Sequence, residues 1–234
     1  MKILAIIPAR GGSKELPLKN IQKLVGKPLI EYSIVAAKNS KKIDKIIIST
    51  DNKKIANISR SLGADVPFLR PKSLAADNSL SIDTVKHTLQ FLHDNQSYVP
   101  NIILLLQPTS PFRTTTMIDT SISMLQKSQA TSVLSVTKIK IHQFKTFRHK
   151  TKYLSPLNSN FEKYTQRQQI PDLYLPTGSI YTFWYNTLKK YDSLYGPRIL
   201  PLIEDEFIDI DNKFDLFVSE MKILNWNNYK KTHN

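Results

Sequence analysis

Ile3-Leu4-Ala5-Ile6-Ile7-Pro8-Ala9-Arg10-Gly11-Gly12-Ser13-Lys14-Glu15-Leu16-Pro17-Leu18-Lys19-Asn20 lies almost at the start of the chain, and its two halves read differently. From Lys2 to Ile7 the run is short, apolar and ended by Pro8, the pattern of a strand buried on both faces. Such a strand needs helices above and below it, so this stretch sets the expectation of an α/β sheet. The second half is a loop with two glycines and the cations Arg10, Lys14 and Lys19.

The chain beyond it keeps alternating. Pro28 to Lys38 has helical spacing, with Leu29, Ile30, Ser33, Ile34 and Ala37 on one face and Pro28 suited to a first turn. Lys45 to Ser49 is β-branched and strand-like. Asp51 then reads as the N-cap of a helix through Ile55, Ile58 and Leu62 that stops at Gly63. Ser81 to His93 predicts another helix. Ile102 to Leu106, the most apolar strand, is expected at the sheet centre, followed by a helix over Thr115 to Gln126 and a strand over Ser132 to Val136. This order predicts a three-layer, Rossmann-like α/β fold with a mostly parallel sheet, and ligands in the crevice beyond the strands' carboxyl ends. The alternation lapses over 138–175, a basic and aromatic excursion that reads as a lid, a dimerisation arm or a nucleic-acid patch. Structure resumes over Ser179 to Tyr185, and a last helix is expected from Lys213 to Trp226. With neither repeat nor linker in sight, residues 1–234 read as a single domain.

Composition narrows the function classes. The 41% apolar and 22% charged fractions of the 234 residues are those of a globular protein. No apolar run approaches the about 20 residues that span a bilayer, and the first run stops after Ile7, too short for a signal peptide. No membrane association is expected. With no Cys, thiolate catalysis, thiolate metal sites and disulfides are excluded, and a cytoplasmic location is expected. The net charge of +14 fits polyanionic small substrates, nucleic acid, or a merely lysine-rich surface.

Arrangement decides between these. Two glycines let the 9–20 loop turn sharply and present N–H groups to an anion, and Arg10, Lys14 and Lys19 would surround a triphosphate with positive charge. Neither GxxxxGK[ST] nor GxGxxG is present. The segment resembles the IPARGGSKGxPLKN signature of the CMP-sialic acid synthetases, the acylneuraminate cytidylyltransferases. Pro17 to Asn20 sets it apart from the Kdo enzymes, whose loop usually reads LPGKP. The resemblance continues through Ile48–Asp51, Leu69–Pro71 to Ser81, Leu106–Arg113 (LLQPTSPFR), Arg167–Gln169, Gly178–Tyr181 and Ile208–Asp211.

That resemblance implies a CTP-dependent cytidylyltransferase that makes a CMP-sugar from a sialic-acid-like nine-carbon 2-keto acid. It places Ala9, Arg10, Gly11, Lys14, Lys19, Asn20, Arg70 and Ser81 at the nucleotide and Gln107, Lys145, Arg167 and Tyr181 at the sugar. Arg10, Lys19 and Asp211 would be the catalytic residues, and a homodimer built on the 138–175 arm is implied, with no nucleic-acid partner. Asp209 and Asp211 stand at i and i+2, so in a strand both carboxylates share one face, which suits Mg²⁺. The alternative is that Asp211 caps the helix that begins near Lys213. The base that takes the sugar's hydroxyl proton stays open between Asp211 and a water on a second metal. Two departures stand out: Glu15 replaces the family's usual Gly and is expected to face solvent or pair with a lysine, and Thr177 replaces a common Asn beside the sugar motif.

Overall fold

The computed structural model describes residues 1–139, 146–158, 172–205 and 207–233. Strand β1 (Ile3–Pro8) has no polar alternation because both of its faces are covered. Ile3, Ala5 and Ile7 enter one core cluster, while Leu4 and Ile6 enter another on the opposite face. Strand β5 (Ile102–Leu106) does the same: Ile102, Leu104 and Leu106 turn one way and Ile103 and Leu105 the other, all fully buried.

Between them lie a small ribbon of β2 (Lys23–Leu24) and β3 (Lys27–Pro28), then α1 (Leu29–Lys38), β4 (Lys45–Ser49), α2 (Lys53–Ser61) and α3 (Ser81–Gln96). Then follow α4 (Thr115–Gln126), β6 (Ser132–Lys138), the hairpin β7 (Phe147–Lys150) and β8 (Tyr153–Pro156), and β9 (Tyr174–Trp184). The chain ends in α5 (Tyr185–Tyr191), β10 (Ile199–Ile203) and α6 (Lys213–His233). The main sheet runs β10-β6-β9-β5-β1-β4. Ile30 and Ile34 of α1, Ile55 of α2 and Ile118, Ile122 and Leu125 of α4 cover one face. Val85, Leu89 and Leu92 of α3 and Leu188 of α5 cover the other. The expected three-layer α/β architecture is therefore present, with β5 at the centre. Among the described residues, no helix is long and apolar enough to cross a membrane.

Four local expectations need correction. The strand placed at Ser179 begins at Tyr174, and it runs antiparallel between β5 and β6, whereas β1/β4, β1/β5 and β6/β10 pair in parallel. Asp51 does not cap α2: Asn52 does, its Oδ1 accepting from Lys54 N at 2.9 Å and Ile55 N at 3.2 Å. Pro28 precedes α1 instead of filling its first turn, held in extended conformation by its pairing with Lys23. α6 continues past Trp226 to His233. Within the excursion, the described part is the β7/β8 hairpin and the ends of β6 and β9.

Candidate active site

The chain leaves β1, passes through α1 to β4 on one side, and later crosses to β5 on β1's other side. That reversal makes the β1/β5 boundary a switch point, where the loops after the two strands diverge and leave a crevice. Arg10 follows β1 and Gln107 follows β5, and both line a cleft of about 640 Å³ at this boundary.

The glycine loop forms one wall, and its backbone is tightly held. Ala9 is fully buried, its N–H donating to Ser49 O at 2.9 Å. Gly11 N donates to Asp51 Oδ1 at 2.8 Å, so this amide is engaged within the protein. A Cβ on Gly11 would stand 2.8 Å from Asn52 Nδ2 and 2.9 Å from Asn52 Cβ, which is why no side chain fits there. Asn20, nearly buried, donates from Nδ2 to Arg10 O at 2.9 Å and pins the loop from beneath. Leu18, in the left-handed region at φ 52°, turns the chain into the short 3₁₀ helix Lys19–Ile21.

The cations are set around the cleft with acidic partners. Arg10 Nη1 lies 2.9 Å from Asp77 Oδ1 and Lys14 Nζ 2.6 Å from Asp77 Oδ2. Lys19 Nζ lies 2.7 Å from Asp211 Oδ1. Glu15 is exposed at the rim, as its sequence position led one to expect.

Arg70 and Ser81 form the far wall. Arg70 is nearly buried, its N–H bonded to Thr50 O at 2.7 Å and its Nη1 donating to Thr84 Oγ1 at 2.7 Å. Its Nε has no partner. Burial holds the guanidinium below its ordinary pKa, against the pull of Asp51 and with a smaller push from Arg10. A buried donor without an acceptor is costly, so a ligand acceptor would be well received here. Ser81 opens α3 at the cleft edge.

Asp209 and Asp211 both line the cleft although their segment is not a strand. Ile208 and Ile210 alternate with them into a third apolar cluster beside Leu16 and Leu24, and Ile210 N donates to Thr109 O at 2.9 Å. Asp211 does not cap α6. Asn212 does, accepting from Phe214 N at 2.8 Å and Asp215 N at 3.0 Å, with Asp215 Oδ2 accepting from Asn212 N at 3.1 Å in return. Asp211's carboxylate is thus left to the cleft. Asp209 Oδ1 is buried without a hydrogen bond. Burial first, then Asp211 and Asp215, push the Asp209 carboxyl above its ordinary value, while nearby Thr109 and Lys19 pull it down. Thr109 Oγ1 itself has no hydrogen bond of ordinary length.

Gln107 emerges at the end of β5 as its position in the sequence implied. Tyr181, on β9 and predicted at the sugar, does not line the cleft: it is half-buried against the second apolar cluster, its ring 6.1 Å from that of Tyr195. Burial, with smaller help from Tyr195 and Asp209, pushes its phenol up to about 12, so it is neutral in any ordinary assay. Thr177 turns inward, its hydroxyl 2.7 Å from Ser135 Oγ and donating to Glu204. Lys145 and Arg167 lie outside the described residues. Thr84, Thr109 and Asp77 were not singled out in the sequence. Thr109 lay within the quoted Leu106–Arg113 motif and Thr84 in the first turn of α3, the signals that could have found them.

A family model described as cytidylyltransferase matches residues 4–214. The chain belongs to the cytidylyltransferase family. This cytidylyltransferase is 38% identical over 226 residues to the CMP-N,N'-diacetyllegionaminic acid synthase of Legionella pneumophila, covering 94% of this chain and 95% of that one. It is 36% identical to the N-acylneuraminate cytidylyltransferase of Escherichia coli O18:K1:H7 over 92% of its own length and 50% of that protein's. Against the pseudaminic acid cytidylyltransferase of Campylobacter jejuni it is 31% identical, covering 100% of this chain and 98% of the other. Its fold is shared with a solved CMP:2-keto-3-deoxy-manno-octonic acid synthetase complexed with CTP, at TM-score 0.72 and 16% identity over 97% of this chain and 100% of that one.

Proposed function

We propose that this cytidylyltransferase joins CMP from CTP to the anomeric hydroxyl of a sialic-acid-like nine-carbon 2-keto acid sugar, releasing pyrophosphate. The observation that carries the reading is the cleft itself: Arg10, Lys14, Lys19 and Arg70 converge with the Asp209/Asp211 pair at a switch point. The names of its relatives, which specify legionaminic, N-acylneuraminic and pseudaminic acids, support an acceptor of this class.

In the reaction, the anomeric C2 oxygen bonds to the α-phosphorus as the bond to the β-phosphate oxygen breaks, and the hydroxyl proton leaves to a base. The protein's contribution is positioning and charge. Arg10 and Lys14 counter the outer phosphates, exchanging Asp77 for them. Lys19, now on Asp211, meets charge that grows in the transition state. Arg70 offers its unpartnered Nε to an acceptor on the base.

The donor set fits a hard divalent cation. Asp209 carries a buried oxygen without a partner and an elevated pKa, both signs of a missing positive charge. No cluster of three or more His, Asp or Glu able to hold a metal is found among the described residues. Two carboxylates suit Mg²⁺, which leaves its other positions to water and phosphate. Bound at Asp209 and Asp211, Mg²⁺ would neutralise the α-phosphate and the departing pyrophosphate.

A homodimer in the cytoplasm completes the proposal. Tyr153 and Leu154 of the β7/β8 hairpin are 71% and 64% exposed, an apolar surface suited to a second copy, and a chain with no Cys suits a reducing compartment. Light scattering at working concentration checks the dimer, and a fully active monomer would overturn it. For the activity, pyrophosphate release is measured with CTP, Mg²⁺ and a panel of nonulosonates and Kdo. Silence with every nonulosonate refutes the reading.

A further inference from the structure

Arg113 closes the Leu106–Arg113 motif, yet it does not line the cleft. It is 4% exposed and forms no ion pair among the described residues. Burial pushes its guanidinium down to about 10, opposed by Glu204, so it stays charged at neutral pH. A buried guanidinium without an ion-pair partner in contact is expensive to keep, and its hydrogen bonds indicate why it is there.

Its planar fork ties three separate segments together. Nε donates to Ser179 O at 2.8 Å, Nη1 donates to Ser33 Oγ at 2.9 Å, and Nη2 donates to Gln107 O. Gln107 follows β5 and Ser179 lies on β9, strands that are ordinary antiparallel neighbours up to Leu106↔Ile180 and then part. Where they part, β9 is irregular. Its register with β6 shifts between Leu134 and Val136, and Ile180 N is satisfied by Ser135 Oγ at 2.8 Å in place of a strand carbonyl. Gly178 stands at φ +77° beside Gln107, where a Cβ would meet Oε1 in ordinary contact at 3.4 Å. The Gln107 side chain and the Gly178 turn are therefore neighbours, and the carbonyls of Gln107 and Ser179 are drawn to one guanidinium.

We propose that Arg113 is a positioning residue for the acceptor half of the site, holding Gln107 against the Gly178 turn while touching neither substrate. This rests on the reading of the cleft as a nucleotide-plus-sugar site. The nucleotide half has other supports, Asn20 and Asp51 under the glycine loop and Thr50 and Thr84 beside Arg70. The two halves should therefore respond separately.

The test compares Arg113→Lys, which keeps the charge but cannot reach three acceptors at once, with Arg113→Met and Ser33→Ala. CTP affinity is measured by calorimetry, steady-state constants by pyrophosphate release, and local structure by amide hydrogen exchange. Arg113→Lys should raise the acceptor's KM by about tenfold or more and leave the dissociation constant of CTP within about twofold. Exchange should quicken at residues 178–181 and stay unchanged at 10–20. Ser33→Ala, which loses only the bond to α1, should leave the acceptor's KM unaltered. Equal weakening of CTP and acceptor by Arg113→Lys would reduce Arg113 to a general structural role and overturn the proposal, as would unchanged exchange at 178–181. Wild-type enzyme that turns over no sugar acid would sink the functional reading, and the exchange pattern would still decide the role of Arg113.

Discussion

Replacing Gly11 by Ala adds one methyl group to the glycine loop, and its cost follows from the contacts it meets. The new Cβ would sit 2.8 Å from Asn52 Nδ2 and 2.9 Å from Asn52 Cβ. Rotating the Asn52 side chain relieves the first contact, but that breaks the α2 cap, worth about 1 kcal/mol. The second contact is to an atom fixed to the backbone, so the loop must also retreat and stretch the Gly11 N to Asp51 Oδ1 bond of 2.8 Å. A hydrogen bond to a charged group is worth about 2 kcal/mol. The two losses total about 3 kcal/mol, or roughly 6–12 °C in Tm for a chain of this size. Because Asn20 ties Arg10's carbonyl to the same loop, the KM for CTP should rise by about tenfold or more. Thermal melts and pyrophosphate release measure both. The control is Asn52→Gly, which removes the opposing Cβ and is a cap only slightly worse than Asn. In that background Gly11→Ala should cost less than about 1 kcal/mol, a non-additivity that marks direct contact. An equal cost in both backgrounds would refute the steric explanation.

Other substitutions probe the remaining walls. Asp209→Asn should abolish most turnover, by about 10²-fold or more, while raising Tm at pH 7.5. The sign follows from the elevated folded pKa: the fold favours protonated Asp209, so the ionised group costs stability above that pKa and the variant's advantage shrinks as pH falls through it. Mg²⁺ should raise the Tm of wild type and not of Asp209→Asn, and an equal shift in both would remove the pair as the metal site. Asp77→Asn should lower the KM for CTP at low ionic strength and lose its effect in high salt, since Asp77 occupies the cations that phosphates need. A raised KM would show that Asp77 positions those cations instead. Gly178→Ala forces a side chain into a left-handed backbone at about 1–2 kcal/mol and disturbs the turn beside Gln107, so the acceptor's KM should rise while CTP binding holds. Loss of CTP binding would count against the division of the cleft.

Much of this was legible because local chemistry determined it. Ile3 to Ile7 and Ile102 to Leu106 are apolar on both pleat faces and can only be interior strands. Thr114 and Gln126 bracket α4 where the pattern placed it. The Asp209/Asp211 alternation survived even without a strand, because Ile208 and Ile210 had an apolar pocket to fill. What could not be read depended on distant partners. Asp51 and Asn52 are equally good caps by residue type, and the glycine loop claims Asp51 from 40 residues away. β10 carries Pro201 and lies at the sheet edge, and β9 is interrupted by Pro176 and Gly178, so neither shows a clean period. The Asp77 bridge and the bonds of Arg113 to Ser33 and Ser179 join segments far apart in sequence, and no window along the chain contains them.

The antiparallel insertion of β9 also affects how this protein is made. During synthesis β4, β1 and β5 can pair as soon as they emerge, but the open edge of β5, Ile102-Ile103-Leu104-Leu105-Leu106, must wait for residues 174–184. β6 arrives first and cannot take that place in the native sheet, since its own neighbours are β9 and β10. The nascent chain therefore carries a wholly apolar, unpaired edge through the synthesis of the entire excursion, the condition in which strands add to the wrong chain. Fragments ending before Tyr174 should aggregate, and the slow step of refolding should be the threading of β9 between its two waiting partners.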